Sequence, residues 1–590
     1  MENLPPHVAS SLYSKHPTAL ERELTLRRID EHRALHIEHY TAVFRLTRHL
    51  NQLVPVARLP PEILEEIFYI LSTNCFHSHR KSCERISYRV EAVEWTKVSH
   101  VSYYWRNIAL SSPRLWSHIA VYNTDYLATC LLRSARIPLS VYLADQYQEK
   151  NVDSPLVTLS ILASHLDRVE SLDWSTSIRF ERFTPSPWQN VHVAPILKSM
   201  KLHSSLFPSN PHPMALRDFL RDTDTPALKC LDISDDNYDW VEANYPRSLR
   251  RLSIEYSAGD SPPYAGRGDF LSNALKSLKN LLQLNFLSIT NAFPTLDVDY
   301  ISISPTTLAT TLRDVHLSGW APLLIRLYSH MILPINTNVD LSLRYLSLRD
   351  WNEYAHQLDH IFSQLKVVAT AERSAVQIYI GSYISSDSEE QYLSFRAWRT
   401  STNTFHSQGA IFWPSPQQSP PFLDIDITVD SFYDDDMDIL DIDPFLDALT
   451  SEIPDNTLEA IDMKDFDSPS GLLQLISRSS RLCHIFLNSD TGLRALLNAF
   501  LSEGNGAFPA LRSLEIAHFL SEEEADRINS HQNLEELCQV LASLKKNGRG
   551  LFSVLLRAET MEVETLAGTI KSLELSVDFF ELVETVSASS

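Results

Sequence analysis

The sequence predicts a mixed α/β protein, with a helical N-terminal part followed by a long array of short strands and intervening returns. Three observations carry this expectation. Between residues 17 and 110 apolar residues recur at steps of three and four, the helical period. From residue 169 to residue 516 a short apolar phrase recurs at near-regular spacing. Glycine is scarce, 13 in 590 residues, against a usual share of about 7%. This scarcity argues against nucleotide-binding α/β folds, whose phosphate loops need glycine for close backbone approach.

Residues 1–16 read as a disordered N-terminus. Residues 17–52 are polar with a weak heptad pattern: Ile29, Tyr40, Val43 and Leu50 hold seam places, and Arg33, His36 and Thr47 hold others. One long helix follows, expected to pack back on its own protein in preference to oligomerising.

Residues 53–120 form the next domain. The run Leu59-Pro60-Pro61-Glu62-Ile63-Leu64-Glu65-Glu66-Ile67-Phe68 starts a helix sharply. Pro61 stands where a first turn tolerates proline, and three glutamates lie near the positive end of the helix dipole. Ile63, Leu64, Ile67, Phe68 and Leu71 make an apolar stripe over helix 61–71. About forty residues later Val98, Val101, Trp105 and Ile108 repeat the period over helix 95–110, and Ser112-Pro113-Arg114-Leu115-Trp116 follows. Residues 72–94 between the helices read as an inserted loop.

These residues resemble the F-box, as found in the large fungal group of F-box proteins. The matching positions are Leu59, Pro60, Glu62, Ile63, Leu64, Ile67, Phe68, Val98, Val101, Trp105 and Arg106, with the Leu115-Trp116 tail. The resemblance implies docking onto the SKP-type adaptor of a cullin-RING ubiquitin ligase. Leu59, Pro60, Ile63, Leu64, Ile67, Val101 and Trp105 would be the adaptor-binding residues. The pattern departs from the family at Ser102, Tyr103 and Tyr104, where a cysteine and a basic residue are usual.

After residue 120 the phrase Leu-x-x-Leu-x-Leu takes over. Its central residues are Leu172, Met200, Leu231, Leu252, Leu287, Val315 and Leu346, separated by 28, 31, 21, 35, 28 and 31 residues. It resumes at Ile461, Ile485 and Leu514, separated by 24 and 29. Periods of this size define leucine-rich repeats. Two alternate side chains of a short strand enter the core, the residue three earlier joins them from the preceding turn, and stacked units bury one continuous column. Residues 121–590 therefore read as an irregular leucine-rich-repeat solenoid, a horseshoe with a concave strand face. Segments 211–220 and 491–501 read as helical returns. A long insertion lies around 349–457, with strand-like pieces Val376–Ile380 and Leu423–Val429. The alternation Leu573-x-Leu575-x-Val577 and the polar tail would cap the array.

Composition narrows the function. Hydrophobic residues make up 44% of the chain, no apolar run is long enough to span a bilayer, and the first residues lack the parts of a signal peptide. Six scattered cysteines suit a reducing compartment. A cytoplasmic or nuclear location is the expectation. A net charge of −23 repels phosphate backbones, so neither nucleic acid nor membrane is an expected partner. Cys75, His77, His79 and Cys83 do not have the spacing of a common zinc site. The aspartate-rich run 424–447 lacks the glycine and terminal glutamate of a calcium loop. Arg267-Gly268-Asp269 is a chance tripeptide. No catalytic motif, metal site or cofactor is expected. The combination predicts a substrate-recognition subunit of an SCF-type ligase; the alternative is a non-catalytic repeat scaffold whose F-box-like element recruits no ligase.

Overall fold

The computed structural model describes residues 19–82, 91–121, 123–144, 154–176, 193–204, 219, 223–234, 245–256, 270–292, 304–347, 362, 375–384, 391–400, 421–430, 448–449, 453, 458–464, 479, 481–488, 490–503, 510–517, 524–546, 553–559 and 567–585. The chain divides into two units, Met1–Leu143 and Ala144–Ser590.

In the first unit, α1 spans Ala19–Leu53. Its composition, rich in Leu, Arg, Glu and Ala with no Gly or Pro, favours helix throughout. Where packing onto the protein was the expectation, every residue from 21 to 50 is exposed, and Arg48 lies over the Tyr103 ring. A single 3-10 turn, Pro55–Arg58, leads to α2, Pro61–Ser82. The Pro60 carbonyl accepts from the Ile63 and Leu64 amides at 3.1 and 3.2 Å and opens this helix. Helix α2 runs eleven residues past the expected 71, so residues 72–82 are helix and not an inserted loop. The reason is a buried stripe that continues at steps of four through Leu64, Phe68, Ser72 and Phe76. Residues 83–90 of the expected loop, Cys83 included, lie outside the described residues.

The expected second helix, 95–110, is two elements. A 3-10 segment covers Glu91–His100, and α3 covers Tyr103–Ser111. Ser102 separates them: its backbone is extended, and its side chain accepts from the Trp105 amide at 3.1 Å as an N-cap. A 3-10 turn at Pro113–Trp116 then feeds β1, His118–Val121. Helix α4, Thr124–Arg133, capped by Asn123, returns the chain to β2, Leu139–Ala144, which pairs in parallel with β1. The first unit thus runs beyond the expected boundary at 120, because this βαβ crossover belongs to it.

The second unit is built on one strand ladder. Its strands are β3 (Val169–Thr176), β4 (Ser199–Ser204), β5 (Cys230–Ser234), β6 (Arg251–Glu255), β7 (Phe286–Ala292), β8 (Asp314–Trp320) and β9 (Asn338–Ser347). Then come β10 (Ala375–Ile384), β11 (Gln391–Thr400), β12 (Leu423–Asp430), β13 (Leu458–Lys464), β14 (His484–Asn488), β15 (Ser513–Ala517), β16 (Ser553–Glu559) and β17 (Phe579–Thr585). Strands β3 to β9 pair in parallel in chain order, as do β13 to β17. Between these runs β12 pairs in parallel with β9 and β10 with β13, while β11 runs antiparallel to both β12 and β10.

The recurring phrases fall in register. Leu172, Met200, Leu231, Leu252, Leu287, Val315 and Val339 are successive partners, and so are Trp174, Leu202, Ile233, Ile254, Ile289, Leu317 and Leu341. All are buried. Before each strand a tight turn brings in the leading residue, as where the Leu228 amide donates to Thr225 O and the Leu312 amide to Ala309 O. Between β7 and β8 the ladder bulges at Asn291, whose φ of 53° suits asparagine, beside Gly319 at φ 141°. Described helices on the returns include α5 (Ser154–Ala163), α6 (Phe270–Lys279), α7 (Ala321–Ser329), α8 (Asp490–Glu503), α9 (Glu524–Lys546) and α10 (Ala567–Ser576).

Four expectations need correction. The sheet is not curled, so the horseshoe is not seen. The phrase assigned at Leu343-x-x-Leu346-x-Leu348 is displaced: Val339 and Leu341 hold its places in the ladder, and Leu346 pairs instead with Val429 of β12. A period of two leaves a ten-residue alternating strand open to such a slip in reading. The insertion 349–457 contributes three strands to the sheet, and β11 was not anticipated. Leu573 and Leu575 lie in α10, and the last strand follows at β17. Of the 211–220 return only Phe219 is described, whereas 491–501 lies in α8.

Candidate functional site

Helix α2 carries two apolar stripes. One, Leu64, Phe68 and Phe76, is buried. The other, Ile63, Ile67, Ile70 and Leu71, recurs at steps of four, three and one and is 40–51% exposed. Val101, just before α3, adds a further exposed apolar side chain. The four residues on α2 form an exposed apolar cluster.

The buried side of the unit holds this surface in place. The Phe68 ring lies 5.1 Å from Trp105, and Trp95 meets Trp116 edge to face at 5.0 Å. The Trp116 indole N–H donates to Ala109 O at 2.8 Å, and the Ser72 hydroxyl donates to Leu115 O at 3.2 Å. The Ser112 hydroxyl donates to the Glu65 carboxylate. Arg114 bonds Glu66 at 2.7 Å and stacks over the Tyr69 ring at 3.5 Å. His118 packs edge-on to Tyr69 and Phe76, and burial, then the nearby His77 and Arg114, holds its imidazole below the ordinary value.

The Tyr104 hydroxyl donates to the Leu59 carbonyl at 3.1 Å. It ties the Leu-Pro element to α3 across 45 residues of sequence. Two of the three residues that depart from the family pattern therefore position the site: Ser102 caps α3 and Tyr104 anchors Leu59. The third, Tyr103, stacks under the Arg48 guanidinium at 3.7 Å.

Of the seven sequence-predicted residues, Ile63, Ile67 and Val101 lie on the exposed side, with Pro60 exposed beside them. Leu59 and Trp105 are half-buried. Leu64 is fully buried inside the unit, so it supports the surface and is not part of it. Ile70 joins the exposed stripe, which the apolar run alone hides because Ile63 and Leu64 are adjacent in sequence and differ in burial.

Residues 56–121 match the F-box-like family model. The match begins in the 3-10 turn before α2 and ends with β1, so this chain carries an F-box-like domain over about a tenth of its length. No curated protein matches the chain.

On the second unit three outward positions of the ladder carry ion pairs across strands. Lys201 bonds Asp232 at 2.8 Å, His316 bonds Asp340 at 2.7 Å and Arg396 bonds Asp424 at 3.1 Å. The hydrogen bond to the Asp340 carboxylate holds His316 above its ordinary value, against the effect of burial. Burial pushes the Asp424 carboxyl up to about 6, although Arg396 opposes it. Just before the strands, Lys198, Lys229, Arg250 and Arg313 occupy equivalent exposed positions in the backbone ladder. Lys198 pairs with Glu170; among the described residues no carboxylate pairs with Lys229, Arg250 or Arg313.

Cys75 and His77 lie on α2, and no group of three metal-competent side chains occurs among the described residues. The aspartates beyond residue 430 in the acidic run and the Arg267-Gly268-Asp269 tripeptide lie outside the described residues.

Proposed function

We propose that the chain is a substrate-recognition subunit of an SCF-type ubiquitin ligase. The observation that carries this reading is the exposed stripe Ile63, Ile67, Ile70 and Leu71 beside Pro60 and Val101, inside the segment that matches the F-box-like family. The F-box reading gives the stripe its occupant, an SKP-type adaptor and through it a cullin-RING ligase. These side chains are already about half covered, so burying the remainder is worth roughly half of the ~1.5–3 kcal/mol of a fully exposed apolar side chain for each. The chain itself has no catalytic part in this reading. It raises the effective concentration of a target near a charged conjugating enzyme held by other subunits.

The second unit is the target-binding part. We read it as an irregular leucine-rich array, supported by the in-register burial of the repeated phrase. Lys229, Arg250 and Arg313 hold equivalent exposed positions before the strands and pair with no carboxylate among the described residues, which favours a target with an acidic segment. A cytoplasmic or nuclear site of action goes with this role.

Co-purification with an SKP-type adaptor tests the proposal. Capture of adaptor and cullin by the intact chain, lost in the Leu59→Ala, Pro60→Ala double variant, is the expected result. A folded chain that captures neither leaves the scaffold reading in its place.

A further inference from the structure

The turns that lead into β4 to β8 carry a strip of cations. The Lys229 amide donates to Lys198 O, the Arg250 amide to Lys229 O, the Asn285 amide to Arg250 O and the Arg313 amide to Asn285 O, at 2.7–2.8 Å. Each of these residues therefore stands one rung from the next, a step of ~4.8 Å. Lys198, Lys229, Arg250 and Arg313 are exposed, and Arg247 and Arg251 add two exposed cations beside Arg250. Few acids answer them. Glu170 takes Lys198 at 2.6 Å, and the Asp314 carboxylate accepts from the Asn338 side chain at 2.9 Å. Among the described residues no carboxylate pairs with Lys229, Arg250 or Arg313. On a chain with a net charge of −23 this strip inverts the local sign.

The strand face beside it differs. There Lys201 already meets Asp232 at 2.8 Å and His316 meets Asp340 at 2.7 Å, so both cations are answered within the sheet. We infer that an acidic, carboxylate-rich segment of the target crosses the turn side of β4 to β8, off the strand face, against Lys229, Arg250 and Arg313. The inference rests on the second unit being the target-binding part and adds to it the place and the class of segment.

The spacing sets the size of that segment. Four steps from Lys198 to Arg313 span ~19 Å, which an extended chain covers in about six residues at ~3.3 Å each. It also sets the chemistry. Cations on separate rungs, with Asn285 between Arg250 and Arg313, suit a row of single charges, and each arginine offers the planar fork that takes one carboxylate in two bonds. A lone phosphate is gripped by donors gathered on one group.

Binding of a fluorescent oligoglutamate of about ten residues, long enough to cover the strip, to the intact chain without adaptor tests the inference. The expected result is binding at low salt that weakens as salt rises, because the charges are exposed. Lys229→Gln with Arg250→Gln weakens it at least about fivefold, whereas Lys276→Gln with Lys279→Gln on α6, the same change in net charge, stays within about twofold. All four positions are exposed, and unchanged circular dichroism confirms the fold of both double variants. No binding by the wild type overturns the inference, and so do equal losses in the two double variants, which mean diffuse attraction. Tighter binding of a neutral peptide with one phosphoserine overturns the carboxylate row, and tighter binding of an oligothymidylate assigns the strip to nucleic acid. A chain that captures adaptor yet ignores oligoglutamate loses this inference and keeps the ligase reading.

Discussion

The Tyr104 hydroxyl donates to the Leu59 carbonyl oxygen across 3.1 Å, and this one bond joins the element before α2 to α3. One of the three residues that depart from the family pattern is thus bonded to the Leu-Pro turn. Tyr104→Phe removes the donor and keeps the ring. The loss is about 1 kcal/mol of stability for a bond of this kind, with a several-fold weaker adaptor complex because Leu59 is released. Urea denaturation and adaptor titration of the same variant measure both.

The two stripes of α2 separate stability from binding. Leu64→Ala opens a cavity in a fully buried place and costs ~2–5 kcal/mol of folding stability. Ile67→Ser changes an exposed side chain, leaves the unfolding midpoint within about 0.5 kcal/mol of wild type, and weakens adaptor binding at least tenfold. Equal effects of the two on unfolding contradict the assignment of the stripes.

Trp116 is the largest single test of the first unit. It stacks on Trp95, donates to Ala109 and lies under Arg133 at 4.7 Å. Trp116→Ala removes all three and costs ~3–5 kcal/mol. The expected readout is loss of near-ultraviolet dichroism and of adaptor capture together.

Asp424 gives a pH dependence of defined sign. Its folded value, about 6, lies above the ordinary 3.8 because burial disfavours the charged form. The folded state therefore holds the proton more tightly, and this contribution to stability is fully present below about 4 and lost as pH rises through about 6. Asp424→Asn keeps an acceptor for Arg396 without the charge. The variant is expected to be more stable than wild type at pH 7.5, with the gap closing towards pH 4. His316 responds in the same direction, and His484, pushed down to about 4 by burial, in the opposite one. Only the difference between variant and wild type isolates Asp424; a gap that stays constant with pH rejects the assignment.

Helix existence was legible wherever the apolar period was long, as in α1 and the start of α2. The extent of α2 was not, because Ser72 and Phe76 are recognisable as a stripe only when β1 and the 113–116 turn are packed on them. The repeated phrase gave the register of β3 to β8 directly, since each unit places its two apolar residues on one face. It failed at β9, where Val339, Leu341, Leu343 and Leu346 offer several equal alignments, and at β11. Strand β11 is antiparallel and belongs to no repeat, so nothing local announces it.

By itself the sequence determined the F-box-like segment, the α/β class and the in-register pairing of β3 to β8, because short-range spacing and side-chain identity fix these. Tertiary structure alone decided which half of the 63–71 apolar run is buried. Neighbouring residues on a helix differ in direction by about 100°, and only the assembled unit shows that Leu64 is fully buried while Ile63 stays half exposed.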